Sequence, residues 1–340
     1  MEERVTGTSS TLAIDLGRTG CRAMLWRGDD AEPCATATGD GALGLTAPAG
    51  AIAAGNAILA VAAPLLAAQG LDSVDAVGVG APGTLAAPDA ARELAEHLCK
   101  SLPARSVALA SDAVTSHAGA LGGAPGVVLA AGTGAVVAAI GPDKQFHRID
   151  GWGPWLGDEG SGAWLGLAGL RAAIRAHDGR GAATALREAA WQQFGGPGQL
   201  ALQLGTDDNP ARIAAAFVPA IAHAAKCGDG IAIALIHAAA EALARSVLAG
   251  AAAVRGVMPV PVAIVGGLTE LGDMLLEPLH AALQRSGAPL RVCAARGTSL
   301  DGARHLAVHE GGIHEPCVMR AGTRADIARD GAGRPATQSR

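Results

Sequence analysis

Short apolar runs with strand-like composition alternate with longer Ala-rich stretches along the whole chain. TLAIDL (11–16) and CRAMLW (21–26) are strand-length runs, and GRTG between them has turn composition, so the pair predicts a hairpin. A third strand is predicted near 33–38. The Ala-rich segment 50–69 predicts a helix, VDAVGVG (74–80) a strand, 88–102 a helix, SVALAS (106–111) a strand and 112–121 a helix. The order then restarts. GVVLAA (126–131), AVVAAIG (135–141) and QFHRID (145–150) predict three strands, and helices are expected from 158 to 252. VPVAIVG (260–266) predicts a strand, 271–286 a helix, LRVCAA (290–295) a strand and 299–309 a helix. From about 311 the chain is rich in Gly, Arg and Asp and is expected to be a loose tail, 311–340.

Both halves therefore read βββαβαβα. Three strands followed by βα units imply an α/β fold with a mixed sheet and helices on both faces. The first domain is expected over 9–114, joined by a returning helix at 299–309, and the second over 115–298 with a helical insertion. Two such domains side by side make a cleft, where ligands prefer to bind.

Composition narrows the classes. At 340 residues the chain suits two domains. Half of the residues are hydrophobic, yet there is no Tyr and only three Phe, so the core must pack with small side chains; 48 Gly allow close backbone approach. The net charge is −5 and no basic run occurs, which argues against nucleic acid as a partner. The six Cys are scattered without a C-x-x-C pair, as expected for reduced thiols in a cytoplasm. MEERVTGTSS at the start is acidic and polar and is not expected to be a secretory signal. The apolar run 230–254 carries His237, Glu241 and Arg245 on one stripe, so an amphipathic core helix explains it better than a membrane span.

The candidate chemistry sits in the loops. GVGAPG (78–83) follows a strand, but Pro82 interrupts it and no acid occurs over 99–106, so a turn fits better than a dinucleotide fingerprint. No phosphate-binding G-x-x-x-x-G-K-[ST] is present. DLGRTG (15–20) and AGTGA (131–135) join the first two strands of each half and so occupy equivalent places. Each offers backbone N–H groups and a Thr hydroxyl, Thr19 or Thr133, suited to an anion. Asp15 beside the first loop could hold Mg²⁺ through water, or merely cap the turn. Asp112 starts a helix at a strand's C-terminal end, as an N-cap or as a general base. In GWGPWLGDEGSGAWLG (151–166), Asp158 and Glu159 precede an apolar run and suit a helix N-terminus, where glycines admit a ligand. His305, His309 and His314 lie close together; exposed helix-end histidines are commoner than a zinc site.

Together DLGRTG, SDA (111–113), AGTGA, the W-G-x-x-L-G-D-E-G-S-G run and VGG (265–267) resemble the sugar-kinase, actin and heat-shock-chaperone ATPase superfamily, and within it the N-acetylglucosamine kinases of the BadF/BadG/BcrA/BcrD ATPase family. The resemblance implies two ribonuclease H-like domains around an ATP and sugar cleft, the actin-like ATPase fold. It implies ATP and Mg²⁺ as cofactors, an amino-sugar substrate, and a homodimer. By it, Asp15 (through water to Mg²⁺), Gly17, Arg18 and Thr19 contact the ATP phosphates, with Gly132, Thr133 and Gly134 on their other side. Gly266 and Gly267 admit the adenosine. Asp112 accepts the sugar hydroxyl proton, and Gly151, Trp152 and Asp158 contact the sugar. The sequence departs from the family where Leu16 and Arg18 replace glycines, where Gly20 replaces a basic residue, where Ser111 replaces Asn, and where GDGALGL (39–45) lacks the sugar-binding Asn. N-acetylglucosamine converted to its 6-phosphate is the leading reaction. Glucosamine, N-acetylmuramic acid or another hexose remain as alternatives, as does a non-catalytic sugar- or nucleotide-binding protein. The scattered Cys argue against the iron–sulfur activators and the zinc-motif repressors of the same superfamily.

Overall fold

A computed structural model describes residues 9–207 and 209–322. The chain divides into two units, one made of residues up to Ala124 together with those from Arg296, the other of Pro125–Ala295.

In the first unit, β1 (Ser10–Leu16), β2 (Cys21–Arg27) and β3 (Ala35–Gly39) form an antiparallel meander. It is followed by α1 (Gly50–Ala68), β4 (Val74–Gly80), α2 (Pro88–Ser101), β5 (Ala104–Ala110) and α3 (Asp112–Leu121). β1 pairs parallel with β4 and antiparallel with β2, so it is central and almost wholly buried, and its middle residues Leu12, Ala13 and Ile14 are apolar on both faces. α1 and α2 cover one face around Ile58, Leu94 and Leu98. Each fully buried Leu or Ile there contributes about 1.5–3 kcal/mol.

In the second unit, β6 (Gly126–Ala131), β7 (Ala135–Ile140) and β8 (Phe146–Asp150) make a second meander. Helices α4 (Gly162–His177), α5 (Leu186–Phe194), α6 (Pro197–Thr206), α7 (Pro210–Ala215), α8 (Val218–Lys226) and α9 (Gly230–Ala253) come next, then β9 (Val260–Val265), α10 (Asp273–Arg285) and β10 (Leu290–Cys293). The sheet order is β10-β9-β6-β7-β8, with β9 parallel to β6. Helices begin at 162 rather than 158, because residues 158–161 form a turn whose last residue, Ser161, caps α4 by accepting the Trp164 N–H. α1 and α9 are long and apolar enough by composition to cross a membrane, and each packs one face into its unit's core. His237, Glu241 and Arg245 of α9 are exposed, as the stripe predicts.

The chain returns to the first unit through α11 (Ser299–Val308), begun by a Thr298–Asp301 capping box. α11 lies against α3, β1 and β4 with backbone touching backbone. A Cβ added at Gly302 would sit 1.8 Å from the Thr115 carbonyl oxygen, at Gly119 1.8 Å from that of Thr298, and at Gly78 1.9 Å from that of Ala303. The GVGAPG run is thus a packing surface for helices. This contact also keeps α3 with the first unit in full, so the divide falls after Ala124 and not at 114. Arg304 of α11 lies over the buried Trp26 ring, 4.9 Å from its centroid, and donates to the Asp30 and Gly28 carbonyls.

The expectation of a loose tail from 311 is corrected for residues 311–322. β11 (Met319–Gly322) pairs antiparallel with β5 as an edge strand, and Arg320 binds Glu315 with two hydrogen bonds of 2.6 and 2.9 Å. The remainder, 323–340, lies outside the described residues. His314 accounts for part of this anchoring: its Nε2 meets His117 Nδ1 of α3 at 2.9 Å, both rings buried. Among the described residues no group of three or more His, Cys, Asp or Glu could hold a metal.

Burial, reinforced by the neighbouring His117 and His305, pushes His314 down to about 3. The folded state then holds it neutral while the unfolded chain takes up a proton near 6.5, so stability is full above about pH 6.5 and is lost progressively as pH falls toward 3. The urea midpoint is expected to drop between pH 7.5 and 5.5, and to drop less in His314→Gln. A midpoint identical at the two pH values would contradict this burial account.

Candidate active site

In the first unit the β1–β2 loop closes through the Gly17 N–H, which donates to the Gly20 carbonyl at 2.8 Å. Residues 39–45 lie on this loop: the Ala42 N–H donates to the Gly17 carbonyl at 3.1 Å, and a Cβ at Gly41 would come within 2.3 Å of that same oxygen. Arg18 and Thr19 are exposed at the tip. Asp15, the penultimate residue of β1, has its side chain only 15% exposed, and its Oδ2 accepts from Arg22 Nη2 at 2.5 Å. The pair follows from register, since Asp15 and Arg22 face each other across β1 and β2. Sequence reasoning missed Arg22, although counting outward from the GRTG turn would have found it.

Asp112 is the first residue of α3 and is exposed. The capping role falls to Ser111, whose Oγ accepts the Val114 N–H at 3.3 Å. Asp112 Oδ1 accepts the Ala113 N–H at 2.9 Å. Thr115, fully buried, donates to the Asp112 carbonyl and fills the space against Gly80, where a Cβ would lie 2.5 Å from its Oγ1. The helix start is thus held on the end of β4.

In the second unit the β6–β7 loop is built in the same way, with the Gly132 N–H donating to the Gly134 carbonyl at 2.8 Å. The first two amides of α4 close it further: Gly162 N–H donates to the Gly132 carbonyl at 2.8 Å and Ala163 N–H to that of Thr133 at 2.9 Å. Thr133 is exposed. Gly266, at φ 105°, follows β9 and abuts the loop's base; a Cβ there would lie 2.3 Å from the Ala131 carbonyl oxygen. Beside the loop opens a pocket of about 530 Å³, lined by Gly132, Thr133, Ala222, Lys226, Gly267 and Leu271. Its apolar wall and open glycines suit a nucleoside, and its polar lining includes Lys226, His223 and Glu270. A larger cavity of about 620 Å³ lies among Trp155, Leu156, Trp164 and Arg171, and none of the sequence-predicted site residues lines it.

Asp158 reaches the same loop from the other side. It is half-buried at φ 56°, its Oδ1 accepts the Gly153 N–H at 3.3 Å, and its Oδ2 would lie 2.8 Å from a Cβ at Gly134. Burial, with the nearby Asp150 charge adding to it, pushes the Asp158 carboxyl above the usual carboxylate range, against the pull of the Gly153 and Ala135 backbone N–H groups. Glu159 points elsewhere, to Arg245 of α9 at 3.5 Å, an exposed pair. Trp152 is 61% exposed, with the Arg148 guanidinium 4.4 Å from its ring centroid. Gly151 follows Asp150 and accepts a hydrogen bond from the same guanidinium. Of the sequence-predicted site residues, Gly132, Thr133, Gly134, Gly151, Trp152, Asp158, Gly266 and Gly267 lie in the second unit, and Asp15, Gly17, Arg18, Thr19 and Asp112 in the first.

The chain belongs to the BadF/BadG/BcrA/BcrD ATPase family, which its sequence matches over residues 12–285. Its structure is similar to that of a proposed N-acetylglucosamine kinase from Chromobacterium violaceum, with a TM-score of 0.69 and 30% identity over 88% of this chain and 99% of that one. An N-acetylmuramic acid/N-acetylglucosamine kinase from Clostridium acetobutylicum is 29% identical over 119 residues, which cover 35% of this chain and only 38% of that relative's length. A ROK family glucokinase from Streptomyces griseus, solved with glucose and AMPPNP, shares the fold at 22% identity, a TM-score of 0.53 and coverage of 88% and 99%. The fold is the α/β actin-like ATPase fold, with a ribonuclease H-like sheet in each unit.

The two glycines after β9 are expected to respond differently. Gly266→Ala should destabilise the protein by about 1–3 kcal/mol, because both its φ and the Ala131 carbonyl reject a side chain. Gly267→Ala, whose Cβ meets nothing within 4 Å, should stay within about 0.5 kcal/mol of wild type. Urea denaturation reads both, and equal effects would contradict the geometry.

Proposed function

We propose that this protein is an ATP-dependent amino-sugar kinase, with N-acetylglucosamine as the substrate and its 6-hydroxyl as the acceptor. The observation that carries the reading is the seat of Asp158: a carboxylate able to accept sugar hydroxyls packs directly on Gly134 of a glycine loop suited to phosphates. Family membership and the Chromobacterium and Clostridium relatives support the class of reaction. N-acetylmuramic acid is the second candidate, because the Clostridium relative is named for both sugars.

Phosphoryl transfer needs in-line positioning, neutralised phosphate charge and an oriented acceptor. In this reading Gly132, Thr133 and Gly134 hold the phosphates of ATP, and Gly266 and Gly267 let the adenosine lie on backbone in the adjoining pocket. Gly17, Arg18 and Thr19 of the first unit offer amides, a guanidinium and a hydroxyl suited to phosphate oxygens. Mg²⁺ supplies charge neutralisation when bound, and Asp15 would hold its water through Oδ1, the oxygen that Arg22 does not take. Asp112 is the general base. With Ser111 capping the helix, its carboxylate stands exposed at the helix start, where it can accept the hydroxyl proton. Gly151, Trp152 and Asp158 bind the sugar. The compartment this implies is the cytoplasm, where ATP is available.

A Mg·ATP assay against N-acetylglucosamine, glucosamine, N-acetylmannosamine, N-acetylmuramic acid and glucose tests the class, and turnover is expected to be fastest with N-acetylglucosamine. Asp112→Asn should lower kcat by about 10²–10⁴ with the fold intact, while Asp158→Ala should raise the sugar KM more than the ATP KM. An unchanged kcat in the first variant would remove Asp112 from the chemistry. No turnover with any sugar, alongside retained sugar binding, would leave the non-catalytic alternative standing.

A further inference from the structure

We propose that Asp150 is a positioning residue for sugar recognition, a clasp that sets Asp158 and Trp152 in place without itself touching the substrate. The inference rests on the kinase reading for its substrate but on geometry for its mechanism.

Asp150 is the last residue of β8, opposite Val136 of β7, and its backbone turns into the left-handed region at φ 58°. Its two carboxylate oxygens are both engaged by consecutive amides from the far end of the following loop: Oδ1 accepts the Asp158 N–H at 2.7 Å and Oδ2 the Glu159 N–H at 2.8 Å. Residues 151–157 are thereby tied into a ring that opens and closes on the same residue. Hydrogen bonds to an ionised acceptor are the stronger kind. They hold Asp158 in its own left-handed conformation, φ 56°, a region that Asp enters more readily than most side chains but that still costs more than the ordinary ones. That conformation is what turns the Asp158 carboxylate onto Gly134 and the Gly153 N–H.

The main chain of Asp150 does a second job. Its carbonyl accepts from Arg148 Nε at 3.1 Å, and the same guanidinium binds the Gly151 carbonyl and lies over the Trp152 ring. Both side chains read as sugar contacts therefore depend on one residue. Gly157 completes the clasp: a Cβ there would lie 2.1 Å from Asp150 Oδ1, so any larger residue would push the carboxylate off its amides.

Asparagine can offer one oxygen to one of the two amides but must turn an NH₂ toward the other. Asp150→Asn is therefore expected to raise the sugar KM by about 10- to 100-fold, the worth of one charged hydrogen bond, with the ATP KM within about twofold. Gly157→Ala, which leaves the carboxylate in the chain but displaces it, should show the same split. Amide exchange of Asp158 and Glu159, followed by NMR, should be slow in the wild type and fast in both variants. A sugar KM unchanged in Asp150→Asn, an ATP KM raised as much as the sugar KM, or fast exchange of both amides in the wild type would each overturn the inference. Absence of turnover in the wild type with every sugar would overturn the kinase reading instead, and the exchange rates would still decide whether Asp150 holds the loop.

Discussion

The site depends on backbone packed against backbone. In the second unit the first two amides of α4 run into the carbonyls of the 132–134 loop, and Gly266 lets β9 end directly beneath it. In the first unit α11 crosses α3 at Gly119 and Gly302, and β4 meets it at Gly78, all with carbonyl oxygens where a side chain would otherwise stand. A chain without Tyr, with few Phe and with 48 Gly can build such contacts throughout. Close packing leaves little room for local adjustment, so loops at these crossings are fixed by the cores beneath them rather than by their own side chains.

Two consequences for chemistry follow. Ser111 caps α3, and Asp112 stands exposed as its first residue, with Oδ1 accepting the Ala113 N–H. A carboxylate near the end of β1 is kept in place by Arg22 on the neighbouring strand, through Oδ2. The first loop lacks the basic residue usual in the family at Gly20, and Arg18 and Arg22 place cationic charge on either side of that position.

Much of this was legible in the sequence. The order of strands and helices in both halves follows from apolar runs and Ala-rich stretches, and the glycine loops stand at hairpins as their composition implies. The interactions that set the site were less so. Asp150 looks like an ordinary strand end, since its partners lie eight and nine residues on and meet it only through a loop with left-handed backbone at Asp150, Gly151, Gly153 and Asp158. β11 is short and follows Gly311 and Gly312, so it carries little signal of its own; its place is fixed by the His117–His314 contact and the Arg320–Glu315 pair. The three clustered histidines suggested an exposed helix end, whereas His314 is buried against a helix nearly two hundred residues away in sequence.

The proposed reaction moves phosphate from ATP to the 6-hydroxyl of an amino sugar. It is tested most directly by ³¹P–¹H correlated NMR of the product formed from Mg·ATP and N-acetylglucosamine. The expected product is a new phosphomonoester coupled to the two protons on carbon 6. Free inorganic phosphate as the sole product, or a monoester coupled to any other carbon, would contradict it.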